Sequence, residues 1–557
     1  MQEYVYYHPT GLDFPLDESI YVIKSLDELN SKRFLISNSD KIDSEIVSKE
    51  IDFYIKNTSD SFADKIKNIK KLYDISALRF DNSKDISFTK EIGNKLLLVG
   101  NAEECDKIKK RIDHQEFDMY QIDESMLDSV SGSIGELKVK VKSKDSIVEI
   151  LVDQIVWFDA KQEGLKQSGT YDPNILGIDK TLQILRENVE FFEYRKFTTY
   201  DSNICQYHER RDDVCGKCAE VCPTVAIVKD DSSKHLVFSQ IDCHGCGGCV
   251  SVCPSGAMDY APSDRLSIYE IAQFYKNTYP LIIPNKMDLQ DLTVSLKSNV
   301  LPFAIDGEKF LDESTLLTIA QVSSSQIIFY SDFISKGSGD SIRILNEIYQ
   351  KKYGKDAVIV AKNKAELLDA LDDVSFIEGS SFNINQNGMK KREVFATRLA
   401  YVVGDEDLGV INIGEHIHYA HVKVDESKCT LCLSCVGACN VNALWADAKT
   451  NELKLNPSVC TACGYCELSC PEKDCLSIEQ DVIKLNPDWF KSEVLAKDKL
   501  FACVECGKEF ATVKAIEKVA AKMIPLFNDP IKEKTLYCCE HCKPKVMMKE
   551  YINQVNS

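Results

Sequence analysis

The 557-residue sequence lacks the patterns that mark nucleotide-binding enzymes, hydrolases and membrane proteins. It has no G-x-G-x-x-G run, nucleophile elbow, phosphate loop or H-E-x-x-H run, so no catalytic residues are predicted and we expect no catalytic activity of its own. No uninterrupted apolar segment approaches the roughly 18 residues needed to span a bilayer. Because the start lacks a basic stretch followed by an apolar run, we expect no export signal and a soluble, cytoplasmic protein.

Positive charge is also in short supply. Lysine and arginine number 67 against 87 aspartates and glutamates, which gives a formal net charge of -20. Such a surface repels nucleic acid and anionic lipid and steers the protein toward basic patches on protein partners. Solubility alone is the alternative explanation. We therefore expect redox protein partners, without nucleic acid binding and without direct membrane insertion.

Cysteine, in contrast, is abundant, and most of its 23 copies fall in runs with ligand spacing. The spacing C-x2-C-x2-C-x3-C is that of bacterial ferredoxins, in which thiolates hold a [4Fe-4S] cube and the fourth cysteine ligates the neighbouring cube. Full runs comprise Cys243, Cys246, Cys249, Cys253; Cys429, Cys432, Cys435, Cys439; and Cys460, Cys463, Cys466, Cys470. A degenerate run comprises Cys215, Cys218 and Cys222, with Cys205 upstream. Ligand spacing without an export signal favours metal clusters over disulfides.

Crossed ligation would make four cluster sites from these runs, arranged as two pairs. The predicted sets are Cys243, Cys246, Cys249 with Cys222; Cys205, Cys215, Cys218 with Cys253; Cys429, Cys432, Cys435 with Cys470; and Cys460, Cys463, Cys466 with Cys439. Zinc knuckles are the alternative, since a C-x2-C pair also suits tetrahedral zinc. Three full runs, two of them ending in Cys-Pro, favour four [4Fe-4S] clusters.

Two departures from the ferredoxin pattern affect these sites. Cys439 is followed by Asn440 where proline is usual, which we expect to alter the loop without removing a ligand. The position three residues before Cys215 is Asp212, so Cys205 must reach in from a longer loop. If Cys205 cannot, that cluster would contain three irons or use the Asp212 carboxylate. We prefer Cys205.

Two further C-x2-C pairs lie near the end of the sequence. Cys503 and Cys506, with Cys539 and Cys542, form a four-thiolate set that suits a closed structural zinc site, with rubredoxin-like iron as the alternative. Zinc there would help to fold a small module. Cys538 could substitute for its neighbour Cys539. Buried structural thiols are the expected role of the remaining pair, Cys105 and Cys475.

The predicted fold class is α+β multidomain, with two 2[4Fe-4S] ferredoxin-like modules separated by α/β domains and a C-terminal four-cysteine metal module. The predicted parts are 1–94, of unknown role; 95–165, a small α/β domain; 166–202, a linker with a helix; 203–262, ferredoxin-like module 1; 263–415, an α/β spacer; 416–485, ferredoxin-like module 2; and 486–557, a zinc-ribbon-like module. Predicted strands are 95–100, 117–122, 137–141, 147–157, 326–330 and 357–361. Predicted helices are 102–115, 180–192, 341–352, 364–371 and 511–523.

Several segments, one of them a full cysteine run, resemble a family of bacterial polyferredoxins, the 4Fe-4S ferredoxin iron-sulfur-binding domain proteins encoded near formate dehydrogenase. The segments are Lys196-Phe-Thr-Thr-Tyr200, Cys205-x2-His208, Cys215-x2-Cys218-x3-Cys222-Pro223, Leu301-Pro-Phe303, Cys429 to Cys439, and Phe501-x-Cys503-x2-Cys506-Gly-Lys-x-Phe510. The similarity covers most of the chain from about residue 153 onward. The resemblance implies that Cys205 is a cluster ligand and that the protein transfers electrons in connection with formate oxidation.

The sequence therefore predicts an electron carrier that relays single electrons between a dehydrogenase and an acceptor. A first alternative is a tightly bound iron-sulfur subunit of an oxidoreductase complex. A second is an accessory or maturation factor for a molybdoenzyme. Spacing along the chain leaves open whether the two modules touch each other or are contacted in turn by a partner.

Overall fold

The structure is a computed structural model that describes residues 4–29, 33–39, 41–84, 86–113, 115–143, 146–161, 164–480 and 482–555. Residues 1–3, where the export-signal prediction begins, and His114, within the predicted helix 102–115, lie outside these ranges. Within them, no helix is both long enough and apolar enough to cross a membrane.

The middle of the chain forms a parallel four-stranded sheet packed against helices. Its strands are mostly buried apolar residues, as expected of a parallel sheet covered on both faces. In spatial order they are Val300–Ile305, Tyr279–Pro284, Ile327–Tyr330 and Val358–Ala361. The helices are Arg265–Ala272, Glu313–Ser323, Lys336–Tyr353, Lys364–Asp373 and Lys391–Val403. The strands and helices predicted for this region are confirmed.

The N-terminal region packs against this middle sheet. It contains a second parallel sheet, in the order Val22–Ile23, Tyr4–Tyr7, Phe34–Ser37 and Ile46–Val47, followed by helices Lys49–Asn57 and Phe62–Asn82. The Asn57 side chain donates to Leu292 O over 3.3 Å and accepts from the Val294 N–H over 2.9 Å. Buried Arg79 donates to Ala304 O over 3.1 Å. The N-terminal region thus shares its core with the middle sheet.

The region between these two contains a smaller α/β unit. Its parallel sheet runs Thr170–Tyr171, Gln154–Trp157, Lys95–Val99, Asp118–Ile122, and its antiparallel sheet runs Ser146–Val152, Leu137–Ser143, Leu127–Ser131. Strands Ser87–Ile92 and Glu190–Arg195 pair separately, and the helices are Ala102–Lys109, Pro173–Leu176 and Ile178–Glu187. The strands predicted at 95–100, 117–122 and 137–141 are confirmed.

Three predictions in this unit need correction. The segment predicted as one strand over 147–157 is two strands in different sheets, because Asp153 interrupts it and accepts the Lys95 N–H over 2.9 Å. The helix predicted over 102–115 ends at Lys109. The helix predicted over 180–192 ends at Glu187, and the chain turns at Glu190, whose φ is +77°, into a strand that pairs with residues 87–92.

The two cysteine-rich modules are built from short strands and single helical turns that start within the cysteine runs. Module 1, with the segment just before it, contains strands Thr198–Tyr200, Ile227–Asp230, His235–Phe238 and Met258–Tyr260, and helices Lys217–Glu220 and Gly248–Ser251. Module 2, with the segments that flank it, contains strands Val410–Asn412, Ala420–Val424, Leu444–Asp447, Glu452–Leu455, Leu476–Gln480, Val482–Lys484 and Glu493–Lys497, and helices Ser434–Ala438 and Tyr465–Leu468. Short elements of this kind leave the loops free to wrap around a bound group.

The C-terminal segment forms a hairpin and three helices. The strands are Leu500–Ala502 and Glu509–Thr512, and the helices are Val513–Met523, Pro530–Leu536 and Lys543–Val555. The helix predicted over 511–523 is confirmed, with a later start because residues 509–512 pair in the hairpin. Short 3₁₀ turns elsewhere are Leu26–Glu28, Glu124–Met126, Gly164–Lys166, Ser202–Ile204, Gln273–Tyr275, Pro457–Val459, Pro487–Phe490 and Ile524–Leu526.

Candidate metal centres

Module 1 brings together a first set of four thiols, called quartet A: Cys205, Cys215, Cys218 and Cys253. Burial raises the pKa of the Cys218 thiol, and the other three thiols of the quartet raise it further. The backbone N–H of Tyr207 donates to Cys205 Sγ over 3.5 Å, and that of Met258 donates to Cys253 Sγ over 3.4 Å. Convergent thiols with backbone N–H donors, largely withdrawn from water, fit a thiolate-held cluster.

Asp212, the alternative ligand for quartet A, is engaged elsewhere. Its carboxylate lies 3.1 Å from Arg211 Nε, and its side chain is 39% exposed. The same arginine donates through Nη2 to Leu468 O over 3.2 Å, in module 2. Cys205 is only 7% exposed, and its thiol lies near enough to Cys215 and Cys218 to raise the pKa of both. The geometry therefore favours Cys205 as the fourth thiol.

The second set in module 1, called quartet B, comprises Cys222, Cys243, Cys246 and Cys249. Burial raises the pKa of Cys249, and the thiols around it, including the other three of quartet B, raise it further. The four residues line one cavity, together with apolar side chains such as Ile227 and Phe238. The cavity wall thus combines four soft ligands with an apolar shell, which suits an iron-sulfur cluster.

The loop of quartet B requires glycine at Gly247. Its φ is +78°, and a Cβ there would lie 2.4 Å from Phe310 Cβ. Gly464 occupies the corresponding loop of module 2 with φ +80°, but a Cβ there would meet nothing within 4 Å. Both glycines adopt a left-handed backbone conformation, and only Gly247 also has a neighbour that leaves no room for a Cβ atom.

We expect Gly247→Ala to be more destabilising than Gly464→Ala by about 1–3 kcal/mol, because only the first substitution adds an overpacked contact to the backbone strain. Urea unfolding of the two variants, followed by circular dichroism, measures the difference. Equal midpoints would contradict the contact with Phe310.

Module 2 contains two further quartets. Quartet C comprises Cys439, Cys460, Cys463 and Cys466, and quartet D comprises Cys429, Cys432, Cys435 and Cys470. Burial and then the other three thiols of quartet D raise the pKa of Cys435 to about 12. Burial and the other three thiols of quartet C likewise raise the pKa of Cys466. Each quartet takes one thiol from the other run, which is the crossed arrangement that the spacing predicts.

The quartets of one module lie next to each other. The Cys218 thiol of quartet A contributes to the raised pKa of Cys249 in quartet B. In the same way, the Cys435 thiol of quartet D contributes to the raised pKa of Cys466 in quartet C. Cys475, expected to be an ordinary buried thiol, lies beside quartet D, where burial and the thiols of Cys429 and Cys470 raise its pKa to about 12. Cys105 is fully buried and donates to Gly100 O over 3.6 Å.

The two modules contact each other directly, beside quartets A and C. Asn440, which replaces the usual proline, donates through Nδ2 to Cys205 O over 2.9 Å. Arg210 donates to Ala438 O over 3.0 Å and stacks on Tyr465, with its guanidinium carbon 4.5 Å from the ring centroid. The two modules therefore touch, and the contact lies between residues beside quartet A and residues beside quartet C.

The C-terminal segment places four thiols together, from Cys503, Cys506, Cys539 and Cys542. Their sulfur atoms all lie within 4.8 Å of one another. Burial opposes ionisation, but hydrogen bonds from the backbone N–H groups of residues 539, 505 and 506 lower the pKa of Cys503 to about 6. Cys538 instead donates to Lys534 O over 3.3 Å. A tetrahedral ion held by four thiolates fits this set.

We expect Cys539→Ser to lose the metal ion of this site, because it removes one of four convergent ligands. Cys538→Ser should keep the ion, since the Cys538 thiol is bonded to a helix carbonyl. Metal analysis of the two purified variants, together with wild type, measures both outcomes. Loss of the ion in Cys538→Ser alone would show that the ligand set was assigned to the wrong cysteine.

One group of side chains that could hold a metal ion was not predicted from the sequence. His208 and His235 approach with their Nδ1 atoms 2.9 Å apart, and Glu209 lies 3.8 Å from His208 Nε2. The three residues satisfy the geometry of a possible ion site and are partly exposed. Because His235 lies in a hairpin strand far along the chain, local spacing carried no signal for the pair.

Two family models match the chain. Both are described as 4Fe-4S dicluster domains, and they cover residues 213–257 and 421–485. Two similar curated proteins are each described as hydrogenase-2 operon protein HybA, from Escherichia coli O157:H7 and from Shigella flexneri. Each is 38% identical over 65 residues, which is 11% of this chain and 19% of the relative. The chain thus contains two segments that match ferredoxin-type 4Fe-4S dicluster domains, and it spans about a fifth of the length of these relatives.

Proposed function

We propose that this chain is a polyferredoxin that relays single electrons through four [4Fe-4S] clusters between a dehydrogenase and an acceptor. The ligands would be quartets A to D. The observation that carries the proposal is the contact between modules, in which Asn440 binds the backbone of Cys205, because it joins two cluster pairs into one series. Bound clusters would supply one-electron redox chemistry at each quartet.

The protein would set the hydrogen bonds to the cluster ligands and the exposure of each quartet to solvent. Backbone N–H groups donate to Sγ of Cys205, Cys253 and Cys439. Such hydrogen bonds stabilise negative charge on the sulfur atoms. Quartet D lies nearest to solvent, since Cys432 is exposed. An electron partner would therefore dock most closely there.

Formate dehydrogenase is the donor that the family resemblance implies. The net charge of -20 supports steering toward a basic surface on such a partner. The middle domain would hold the two modules in register, and a zinc ion at the C-terminal thiols would stabilise the last module. Thr512 Oγ1 donates to Thr430 O over 2.9 Å, so that module packs beside quartet D.

The test is an anaerobic reductive titration of reconstituted full-length protein. We expect about sixteen irons per chain and uptake of about four electrons, one per cluster. Much less iron, or failure to accept electrons from a strong reductant, would exclude the proposal. The matched control is the same chain reconstituted without iron, which should take up no electrons in this range.

A tightly bound subunit of an oxidoreductase complex is the second candidate. The match to a hydrogenase-2 operon protein favours it, although that match covers 19% of the relative. Co-purification with a partner at fixed stoichiometry after a high-salt wash would support this candidate. Release by salt would support a diffusing carrier, because salt screens contacts between exposed charges.

A further inference from the structure

Two adjacent buried cations lie where both ferredoxin-type modules meet the middle domain. Lys391 and Arg392 open the Lys391–Val403 helix and are 4% and 2% exposed. Lys391 Nζ donates to Cys253 O over 3.1 Å. Arg392 donates through Nε to Pro254 O over 2.7 Å and through Nη1 to Cys460 O over 3.3 Å. One arginine thus ties the quartet A loop to the quartet C loop.

The two cations differ in their counter-charges. Lys391 Nζ lies 3.4 Å from the Asp312 carboxylate and 3.1 Å from that of Glu313. Arg392 completes its hydrogen bonds with His418 O, at 2.8 Å, and its guanidinium carbon lies 3.7 Å from the Tyr419 ring centroid. In the part of the chain that the structure describes, no carboxylate forms an ion pair with Arg392.

A buried cation without an anion is costly, and a negatively charged group bound beside it would offset that cost. The Glu313 carboxylate pairs with Lys391 and accepts the Tyr419 hydroxyl over 3.2 Å. Four thiolates around an iron-sulfur core carry net negative charge, and the backbone of Cys460 is bonded directly to the guanidinium. Bound clusters at the junction would therefore supply negative charge near Arg392.

We infer that Arg392 is a positioning residue that holds quartets A and C in register and raises the reduction potential at quartet C. The inference rests on the proposed function. Reduction adds negative charge to a cluster, and a fixed buried cation beside it favours the added electron. Arg392 therefore makes quartet C easier to reduce than an uncharged junction would.

The test is a redox titration, followed by electron paramagnetic resonance, of reconstituted wild type, Arg392→Met and Arg392→Lys. We expect Arg392→Met to shift one cluster toward the oxidised form by roughly tenfold, which is about 59 mV for a one-electron couple. Arg392→Lys should stay closer to wild type because it keeps the charge. The control is Arg343→Met, whose side chain is 44% exposed and pairs with Glu347.

Four unchanged potentials in an iron-replete Arg392→Met protein would overturn the inference, as would equal shifts in Arg392→Lys and Arg392→Met. If Arg392→Met fails to incorporate iron, Arg392→Gln gives the same comparison. Iron loss in both uncharged variants with retention in Arg392→Lys supports the role of charge, and loss in all three overturns it. Failure of wild type to bind clusters would instead exclude the proposed function.

Discussion

Replacing Cys205 by alanine is expected to remove about a quarter of the iron, or four of about sixteen atoms per chain. Cys205 is buried, as are Cys218 and Cys253 of quartet A, and its Sγ accepts the Tyr207 N–H. The alternative ligand, Asp212, forms an ion pair with Arg211, so we do not expect it to replace Cys205. Iron analysis and electron paramagnetic resonance of the anaerobically reconstituted variant measure the loss.

The matched control is Asp212→Asn, which removes the alternative ligand and leaves the chain otherwise unchanged in shape. It should retain the full iron content and the spectrum of wild type. A three-iron signal in native wild type, or iron loss in Asp212→Asn with retention in Cys205→Ala, would contradict the assignment of Cys205. Partial loss limited to a three-iron cluster in Cys205→Ala would still place that cysteine at the fourth corner.

The cysteine runs predict the four quartets because ligand spacing is a local property of the sequence. Crossed pairing needs only that the two runs of one module fold against each other; in module 1, Cys222 lies near enough to Cys249, and Cys253 to Cys218, to raise the pKa of each. The pattern also predicts the C-terminal thiols, whose sulfur atoms converge. The identity of the ion there stays a prediction, since thiolates suit both zinc and iron.

The junction between modules could not be predicted, because its contacts join residues far apart in the chain. Asn440 appears in the sequence only as a missing proline, and its bond to Cys205 O depends on how the modules dock. Arg392 lies in a region without cysteine, so no motif pointed to it. The region predicted as a docking or spacing element supplies the side chain that touches both modules.

Local predictions failed where tertiary pairing overrode a continuous pattern. Residues 147–157 are apolar enough to suggest one strand, but Asp153 caps the neighbouring strand through Lys95 and divides the segment. Residues 190–192 end the helix predicted over 180–192, but they belong to the strand Glu190–Arg195, which pairs with residues 87–92 after Glu190 adopts a left-handed conformation. Both cases depend on partners that sequence periodicity does not include.

Asp312→Asn is expected to destabilise the protein by about 3–5 kcal/mol, because it removes the buried anion shared by buried Lys391 and half-buried Arg265. Asp312 is fully buried, 3.1 Å from Arg265 Nε and 3.4 Å from Lys391 Nζ. Its side chain also caps the Glu313–Ser323 helix by accepting the Ser314 and Thr315 N–H groups. Urea unfolding followed by circular dichroism measures the loss.

The control is Asp488→Asn, which removes an ion pair with Lys491 at 3.0 Å on a side chain that is 89% exposed. Exposed pairs of this kind contribute little, so no measurable change is expected. An unfolding midpoint for Asp312→Asn equal to that of the control would show that the buried network adds nothing to stability.

The difference in the free energy of unfolding between wild type and Asp312→Asn should become smaller at acidic pH. Burial opposes ionisation of Asp312, but Lys391 and Arg265 hold its pKa at about 2, below the ordinary value of 3.8. A carboxyl group with a lowered pKa in the folded state stabilises the protein above its ordinary pKa, and this contribution is lost as the pH falls through about 2. Unfolding of both proteins at neutral pH and near pH 2 tests this; a constant difference would mean that Asp312 acts through its hydrogen bonds and not through its charge.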